Sequence, residues 1–229
     1  MNSDSVQLLI KRGGSVGGAS PRVVEGDEDV MAGTRTAEEM SAPLGAVDTG
    51  HLVFTRGASH LRIRVDDSME DLYRARFEGK VPEVRVEGGT VTVKYRPSLH
   101  QTRGEITLTG RIPWSINAHM GMSDVVADLE DLELRGWEVS AGASKIEAKL
   151  PRPKDTVRIR IGAGASHVQL IRPDGVPVRV HIGGGASNLA IDDFSGSGKI
   201  EWRSPDYDQH EGRYDIEIGA GASKVTVRT

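Results

Sequence analysis

Six serines in this sequence follow the same short motif, and a repeated serine raises the question of a nucleophile. The glycines and serines of the motif are Gly57 and Ser59, Gly121 and Ser123, Gly142 and Ser144, Gly164 and Ser166, Gly185 and Ser187, and Gly221 and Ser223. A nucleophile elbow needs a second glycine two residues after the serine and then a helix, whereas Ser166 is followed by His167 and Val168 without a helical pattern. Because a residue that recurs six times indicates architecture, we predict a structural role for the motif and no catalytic residue.

The glycine-rich segments could bind a phosphate or a calcium ion. Gly162 and Gly164 supply two of the three glycines of a dinucleotide-binding loop, but His167 takes the third place. Calcium-binding nonapeptides need carboxylates, whereas the position after each serine varies in charge. This position holds His60, Asp124, Lys145, His167, Asn188 and Lys224. We therefore predict an exposed column of side chains, no bound metal and no cofactor.

Three pairs of aspartates keep an enzymatic alternative open. Paired carboxylates perform general acid–base chemistry in many glycan-cleaving enzymes. The pairs are Asp66 with Asp67, Asp192 with Asp193, and Asp206 with Asp208. Each pair falls at a predicted strand end or loop, where aspartate is common. The alternative is a glycan-binding or glycan-cleaving β-helix protein that uses the carboxylates from Asp192 to Glu211.

Alternating apolar residues on both sides of every motif predict β-strands. Before Ser166 the apolar residues include Ile159 and Ile161, and after it Val168 and Leu170 continue the alternation in the opposite phase. An uninterrupted strand cannot change phase, so the chain must bend or bulge there. The same change occurs at all six motifs and predicts a corner at each. We expect glycine to supply unusual backbone angles, alanine to pack inward and serine to satisfy backbone groups.

The spacing of the motifs predicts a stacked repeat fold. Successive serines are 64, 21, 22, 21 and 36 residues apart, and a period of about 21 residues is typical of a solenoid. The fold class is therefore all-β, a single-chain β-helix (β-solenoid) with coils of about 21 residues. Residues 47–229 form this domain, and residues 1–46, which lack sustained periodicity, are predicted to be a flexible arm.

The irregular spacings predict where the repeat is interrupted. The spacing of 64 indicates two coils without the motif, and the spacing of 36 indicates one coil plus a protruding loop at 204–213. Exposed loops on rigid scaffolds often carry binding. The candidate interaction residues of this loop are Tyr207, Asp208, His210, Glu211 and Arg213. Because solenoid ends expose unpaired strands, we expect the last strand, 225–229, to pair with another subunit or to be covered by the N-terminal region. The chain is thus a candidate homo-oligomer through the solenoid ends.

Composition excludes several classes of protein. The 229 residues carry a net charge of −4 with both signs interspersed, which disfavours a nucleic-acid-binding protein. The absence of cysteine excludes disulfides and thiolate catalysis. No run of 18 apolar residues and no basic N-terminal region with an apolar core are present, so we predict a cytoplasmic protein without a direct membrane span.

Three segments carry a resemblance to a known bacterial family. They are the stretch 72–79 with Pro82, Glu83 and Val84 after it, the repeated Gly-Ala-Gly-Ala-Ser coils, and the final stretch 218–225. From about Leu44 onward the chain resembles the toastrack, or putative-adhesin, β-strand repeat family. A domain of this kind also forms the C-terminal part of LiaF-type cell-envelope stress proteins.

The resemblance implies a single-chain β-helix without an established catalytic site. It also implies a link to cell-envelope stress sensing and to regulatory protein partners, including membrane-associated ones. The family has no set of functional residues to carry over to this chain. Relatives often have transmembrane helices or a companion helical module, and this sequence has neither, so a membrane role would require a partner protein. We therefore predict a non-enzymatic scaffold that presents a rigid surface to protein partners, with no nucleic acid bound.

Overall fold

Eighteen β-strands make up most of the computed structural model, which describes residues 22–24, 37–95 and 102–229. The first nine are β1 (Arg22–Val24), β2 (Ala37–Pro43), β3 (Gly50–Phe54), β4 (Ala58–Asp66), β5 (Asp71–Glu78), β6 (Glu83–Glu87), β7 (Thr90–Lys94), β8 (Arg103–Thr109) and β9 (Trp114–Ala118). The other nine are β10 (Met122–Asp128), β11 (Leu134–Val139), β12 (Ala143–Lys149), β13 (Thr156–Ile161), β14 (Ala165–Ile171), β15 (Val178–Ile191), β16 (Phe194–Arg203), β17 (Arg213–Ile218) and β18 (Ala222–Arg228). A 3₁₀ helix at Tyr207–Gln209 is the other regular element of the described part. The prediction of an all-β fold is confirmed.

The strands form two faces that meet at the corners, in a β-helix-like arrangement. The first face contains the strands that run into a corner, stacked as β7, β3, β9, β11, β13, β17 and the first half of β15. The second face contains the strands that leave a corner, stacked as β8, β4, β10, β12, β14, β18 and the second half of β15. All these pairs are parallel. Inward residues of both faces form one hydrophobic core.

Antiparallel strands close both ends of the stack. At one end β6 pairs with β7, and the series β8, β5, β2, β1 extends the second face. At the other end β16 folds back on β15. The turn between β6 and β7 is Gly88-Gly89, where both φ angles are positive (53° and 83°), as a two-residue hairpin requires.

The stack does not follow the order of the chain. β18 lies between β14 and β15, because the chain passes from β14 to the end of the stack and then returns through β16 to fill the gap. The expectation that the C-terminal strand forms an open end is therefore wrong, since both of its edges are paired inside the chain. The 36-residue spacing holds strand β16 as well as the loop.

The segment between Ser59 and Ser123 also contains different strands from those predicted. A single layer, β7 with β8, stacks on the outer side of β3 and β4, whereas β9 and β10 stack on their inner side. Two extra coils between Ser59 and Ser123 were expected, and this expectation is wrong. Parallel pairing depends on the inward pattern of a strand, which is similar in every layer, so the pattern alone leaves the order of layers open.

The ordered sheet begins earlier than the sequence indicates. Residues 1–46 were predicted to be an arm, but Ala37–Pro43 is strand β2, hydrogen-bonded to β5 and β1. Ala42 is the one fully buried residue of β2, so the strand has no apolar alternation to reveal it. Residues 22–24 of the predicted arm form strand β1, and residues 44–46 lie between β2 and β3. Residues 1–21 and 25–36 of the predicted arm lie outside the described residues.

A few buried aromatic residues anchor the core at defined hydrogen bonds. The indole of Trp114 donates to the carbonyl of Thr109 at 2.9 Å, and the hydroxyl of Tyr214 donates to the carbonyl of Pro151 at 2.6 Å. Burial raises the pKa of Tyr214, and it raises the pKa of Tyr73 to about 12. Among the described residues, no helix is long and apolar enough to cross a membrane.

Candidate functional site

At each corner, the chain changes direction at the residue that follows the serine. These six residues adopt a left-handed backbone, with φ between 51° and 55°. They are His60, Asp124, Lys145, His167, Asn188 and Lys224. A single left-handed residue within a strand bulges it and re-aims the following side chains, so the predicted change of phase is confirmed. The corner glycines were expected to supply the unusual angles, and this is wrong for five of them, because only Gly57 has a positive φ (80°).

Four of the six corner glycines, Gly57, Gly121, Gly142 and Gly164, lie where a Cβ atom would come too close to the next layer. The carbonyl of Gly121 accepts a hydrogen bond from the N–H of Ala58, and the carbonyl of Gly142 accepts one from Met122. A Cβ atom on Gly57 would lie 2.3 Å from the carbonyl oxygen of Gly121, and one on Gly121 would lie 2.9 Å from that of Gly142. Glycine therefore lets the hydrogen-bond ladder continue through the corner.

The alanine and serine of the motif have different environments. The alanine position is buried at every corner, between 2% and 8% exposed, as predicted. The serines stack in register in the spatial order Ser59, Ser123, Ser144, Ser166, Ser223, Ser187. Within residues 37–95 and 102–229 these six hydroxyls make no hydrogen bond, so the expected bond to the backbone is absent there.

The left-handed residues form a column along the outside of the corner, which we call the corner column. From one end of the stack to the other it runs His60, Asp124, Lys145, His167, Lys224, Asn188. His60 Nδ1 hydrogen-bonds to the carboxylate of Asp124, and the last five residues of the column are exposed. The corner column thus repeats one backbone conformation while its side-chain chemistry changes from layer to layer.

A charged groove of about 740 Å³ opens beside the start of the corner column. Arg62, Arg76 and Arg103, from three neighbouring strands, line it together with Glu105 and the exposed Val126. Glu105 also pairs with Arg64 at 3.5 Å. Sequence reasoning missed this groove because its residues come together through the pairing of β8 with both β4 and β5, which are distant from it in sequence.

The predicted interaction loop is partly tied to the body of the protein. Tyr207 is buried, and the guanidinium groups of Arg213 and Arg179 lie 4.7 Å and 5.8 Å from the centre of its ring. Arg213 also donates to the carbonyls of Tyr207 and His210, at 3.0 Å and 3.1 Å. Two of the five predicted residues, Tyr207 and Arg213, therefore hold the loop in place.

The other three predicted residues of the loop reach solvent. Asp208 is exposed and accepts a hydrogen bond from Arg203 at 2.8 Å. His210 lies 3.4 Å from the carboxylate of Asp206, and Glu211 is exposed. Asp208, His210 and Glu211 are thus the part of the loop that a partner could contact.

A cleft of about 540 Å³ lies between this loop and the turn that joins β15 to β16, and we call it the end cleft. Its aromatic wall is the stacked pair Phe194 and Trp202, with ring centres 6.2 Å apart and planes inclined by 30°. Asp193 and Asp206 also line it. The end cleft thus combines an aromatic wall with several polar side chains, which is a lining that a ligand with apolar and polar faces would fit.

A buried arginine fixes the backbone at the rim of the end cleft. Arg172 is 6% exposed and binds both carboxylate oxygens of Asp192, at 2.8 Å and 2.6 Å. It also donates to the carbonyl of Val176 at 2.7 Å. Asp192 has a left-handed φ of 48°, a conformation that persists where surrounding contacts hold it. Asp192 is thus paired with a buried guanidinium, whereas Asp193 and Asp206 line the cleft without contact to Arg172.

One of the three aspartate pairs lies apart from the other two, which both contribute residues to the lining of the end cleft. Asp66 ends β4, five strands along the second face from β15. Ser68 donates two hydrogen bonds to Asp66, at 2.6 Å and 2.9 Å, and these lower the pKa of Asp66. This aspartate therefore caps a turn. In the part of the chain that is described, no three His, Asp or Glu side chains group as metal ligands would.

Comparison with known proteins identifies relatives of this architecture. The model of a protein family described as the N-terminal domain of toast_rack matches residues 32–171. A solved structure titled as a putative cell adhesion protein from Clostridium sporogenes has 20% identity and a TM-score of 0.59, over 84% of this chain and 98% of that one. At this identity, the likeness bears on the fold alone.

A second solved structure is more distant. It is titled as a putative adhesin from Bacteroides fragilis, with 7% identity and a TM-score of 0.27, over 86% of this chain and 97% of that one. A score this low is not a basis for inference. No curated protein matches the chain.

Proposed function

Because this chain belongs to the toast_rack family, we propose that it is a non-enzymatic β-solenoid scaffold, with coils of about 21 residues, that binds protein partners. The proposed setting is bacterial cell-envelope stress sensing or signalling. The proposed location is the cytoplasm, with any attachment to the membrane made through a membrane-associated regulator. Nucleic acid is not among the proposed partners.

The corner column is the observation that carries this proposal. Six layers spaced about 4.8 Å apart give it a length of about 24 Å. Strand pairing fixes the backbone that carries these side chains. Binding of a partner therefore costs little conformational entropy at this surface. Because charge varies along the column, a partner with the complementary order of charges is favoured over others.

Site-specific photo-cross-linking in cells of origin tests the proposal. A photoreactive residue in place of Lys145, in the middle of the column, should give a discrete cross-linked species. The matched control replaces Arg158, which is exposed on the first face. The charge reversal Lys145→Glu should weaken the cross-link made from a neighbouring column position, His167. Equal cross-linking from Arg158, or no change with Lys145→Glu, would contradict a role for the column.

A second function, glycan binding, is favoured by the end cleft. The faces of Phe194 and Trp202 could pack on the apolar face of a sugar ring, and the carboxylates of Asp193 and Asp206 could accept hydrogen bonds from sugar hydroxyls. A glycan array should then show binding that is lost with Trp202→Ala and kept with Lys224→Ala. Hydrolysis of a glycan that disappears with Asp206→Asn and Asp208→Asn would overturn the non-enzymatic proposal.

A further inference from the structure

Strand β16 presents a long edge that the described residues leave unpaired. It spans ten residues, and within residues 22–24, 37–95 and 102–229 its only hydrogen-bonded neighbour is β15. A strand edge of this kind displays free N–H and C=O groups that can pair with another strand. The end of the solenoid is therefore β16, and not the C-terminal strand.

The side chains of β16 divide between the core side and the outer side. Ile200 and Trp202 lie opposite Ile182 and Val180, which are buried, so they are on the core side. Lys199 and Glu201 alternate with them on the outer side, and both are exposed. Gly198 has a φ of 94° and has open space where a Cβ would be.

We propose that β16 pairs with β16 of a second copy of this chain, in an antiparallel register centred on Ile200. This register places Lys199 opposite Glu201 of the second copy, and Glu201 opposite its Lys199. It also places Trp202 opposite the second copy's Gly198, where the indole can cover the glycine backbone. Oppositely charged pairs and aromatic cover both stabilise an antiparallel pair.

The register also joins the two cores on the same side of the sheet. Residues directly opposite each other in a β-ladder point to the same face. A register centred on a residue therefore pairs core-side residues with core-side residues, Ile200 with Ile200. The half-buried Phe194 and Trp202 at the end of each stack then lie close to the joint, in a core that continues from one copy into the next.

The edge of β6, at the opposite end of the stack, is built differently. It has five residues, and its outward side chains are Glu83, Arg85 and Glu87. Antiparallel self-pairing centred on Arg85 would place arginine opposite arginine and Glu83 opposite Glu87. Like charges directly opposite are destabilising, so β6 resists the self-association that the charges of β16 favour.

The proposed interface is small, so association should be weak and depend on concentration. The proposal stands independently of the proposed binding of protein partners, because it concerns the end of the stack and not the corner column.

Sedimentation equilibrium of the full chain and its charge variants tests the proposal. Wild type should dimerise as concentration rises, and Lys199→Glu or Glu201→Lys should each weaken dimerisation about tenfold, because two pairs per dimer become repulsive. The double variant should regain wild-type dimerisation. Lys224→Glu, which makes the same charge change on a strand with both edges paired, should leave it unchanged. A wild type that stays monomeric at every soluble concentration, or a double variant that does not recover, would overturn the proposal.

Disulfide formation fixes the register without depending on affinity. The chain has no cysteine, so Lys199→Cys and Glu201→Cys variants carry one thiol each, at exposed positions. A mixture of the two should oxidise to a mixed disulfide, because residues directly opposite lie within disulfide range. Lys199→Cys alone should cross-link less, since its thiols would be diagonal neighbours about 7–8 Å apart. Equal cross-linking of Lys199→Cys with itself would overturn the register.

Discussion

Replacing single corner glycines with alanine should destabilise the protein by amounts set by the space in front of each glycine. Gly57 has the least room and a left-handed φ of 80°, and a Cβ would lie 2.3 Å from the carbonyl oxygen of Gly121. Gly121 has an ordinary φ, and its Cβ would lie 2.9 Å from a neighbouring carbonyl. The corresponding distance is 3.4 Å at Gly221, an ordinary contact, and at Gly185 nothing lies within 4 Å.

The distances translate into a graded series of stabilities. Gly57→Ala combines a left-handed strain of about 1–2 kcal/mol with displacement of a neighbouring strand, for which about 1–3 kcal/mol is typical of overpacking. Gly121→Ala has only the second cost, about 1–3 kcal/mol. Gly185→Ala has neither, and it should stabilise the protein by about 0.4–1 kcal/mol, because alanine restricts the unfolded chain.

Urea unfolding of each glycine variant, monitored by far-ultraviolet circular dichroism, measures these changes in the free energy of unfolding. Thermal unfolding gives a second measure: for a chain of this size, about 1 kcal/mol corresponds to a change in Tm of about 2–4 °C, so Gly57→Ala and Gly185→Ala should differ clearly. The slope of the unfolding free energy against urea should stay constant, because none of the substitutions should change the surface exposed on unfolding. Equal destabilisation by Gly121→Ala and Gly185→Ala would refute the argument from close approach.

Three further outcomes follow from the corner, the core and the strand order. Lys145→Gly should raise the free energy of unfolding by about 1 kcal/mol by removing left-handed strain, whereas Glu147→Gly in the same strand should lower it; urea unfolding of both checks this. The contribution of buried, neutral Tyr73 to stability should be fully present below about pH 10 and be lost as the pH rises toward 12, because the folded pKa of Tyr73 is about 12 against 10.0 for a free tyrosine; tyrosinate absorbance of Tyr73 should therefore appear together with a loss of stability. Deletion of residues 222–229 should abolish cooperative unfolding, because it opens a gap between β14 and β15; a protein only one layer shorter, with intact circular dichroism, would contradict the observed order.

The corner was predictable because its cause is local. A change of apolar phase within a few residues is visible in the sequence at every motif, and it requires a bulge. The left-handed residue itself was missed, although a signal for it exists. Four of the six positions are His, Asp or Asn, the non-glycine residues most tolerant of this conformation.

The order of the layers was not predictable because its cause is not local. β14 and β18 carry the same pattern, Ala-Ser followed by alternating apolar residues, so either could stack on β12 without changing its inward face. The path of the connecting segments decides which layers pair. Here β16 follows β15 and leads the chain back, so that β18 occupies the layer between β14 and β15. The end cleft depends on that path, and the charged groove depends on the antiparallel pairing of β5 with β8 at the other end of the stack; neither was expected.

The irregular spacings nevertheless indicate where specific chemistry lies. Where serines are 21 or 22 residues apart, successive layers repeat and only the corner column varies. The spacings of 64 and 36 bracket the segments that close the two ends of the stack, and each end has its own cavity, the charged groove at Arg62 and the end cleft at Trp202. A repeat can vary its side chains but not its backbone, so a pocket requires a departure from the repeat. In a stacked β-protein, interruptions of the period are therefore the segments in which a ligand site is most usefully sought.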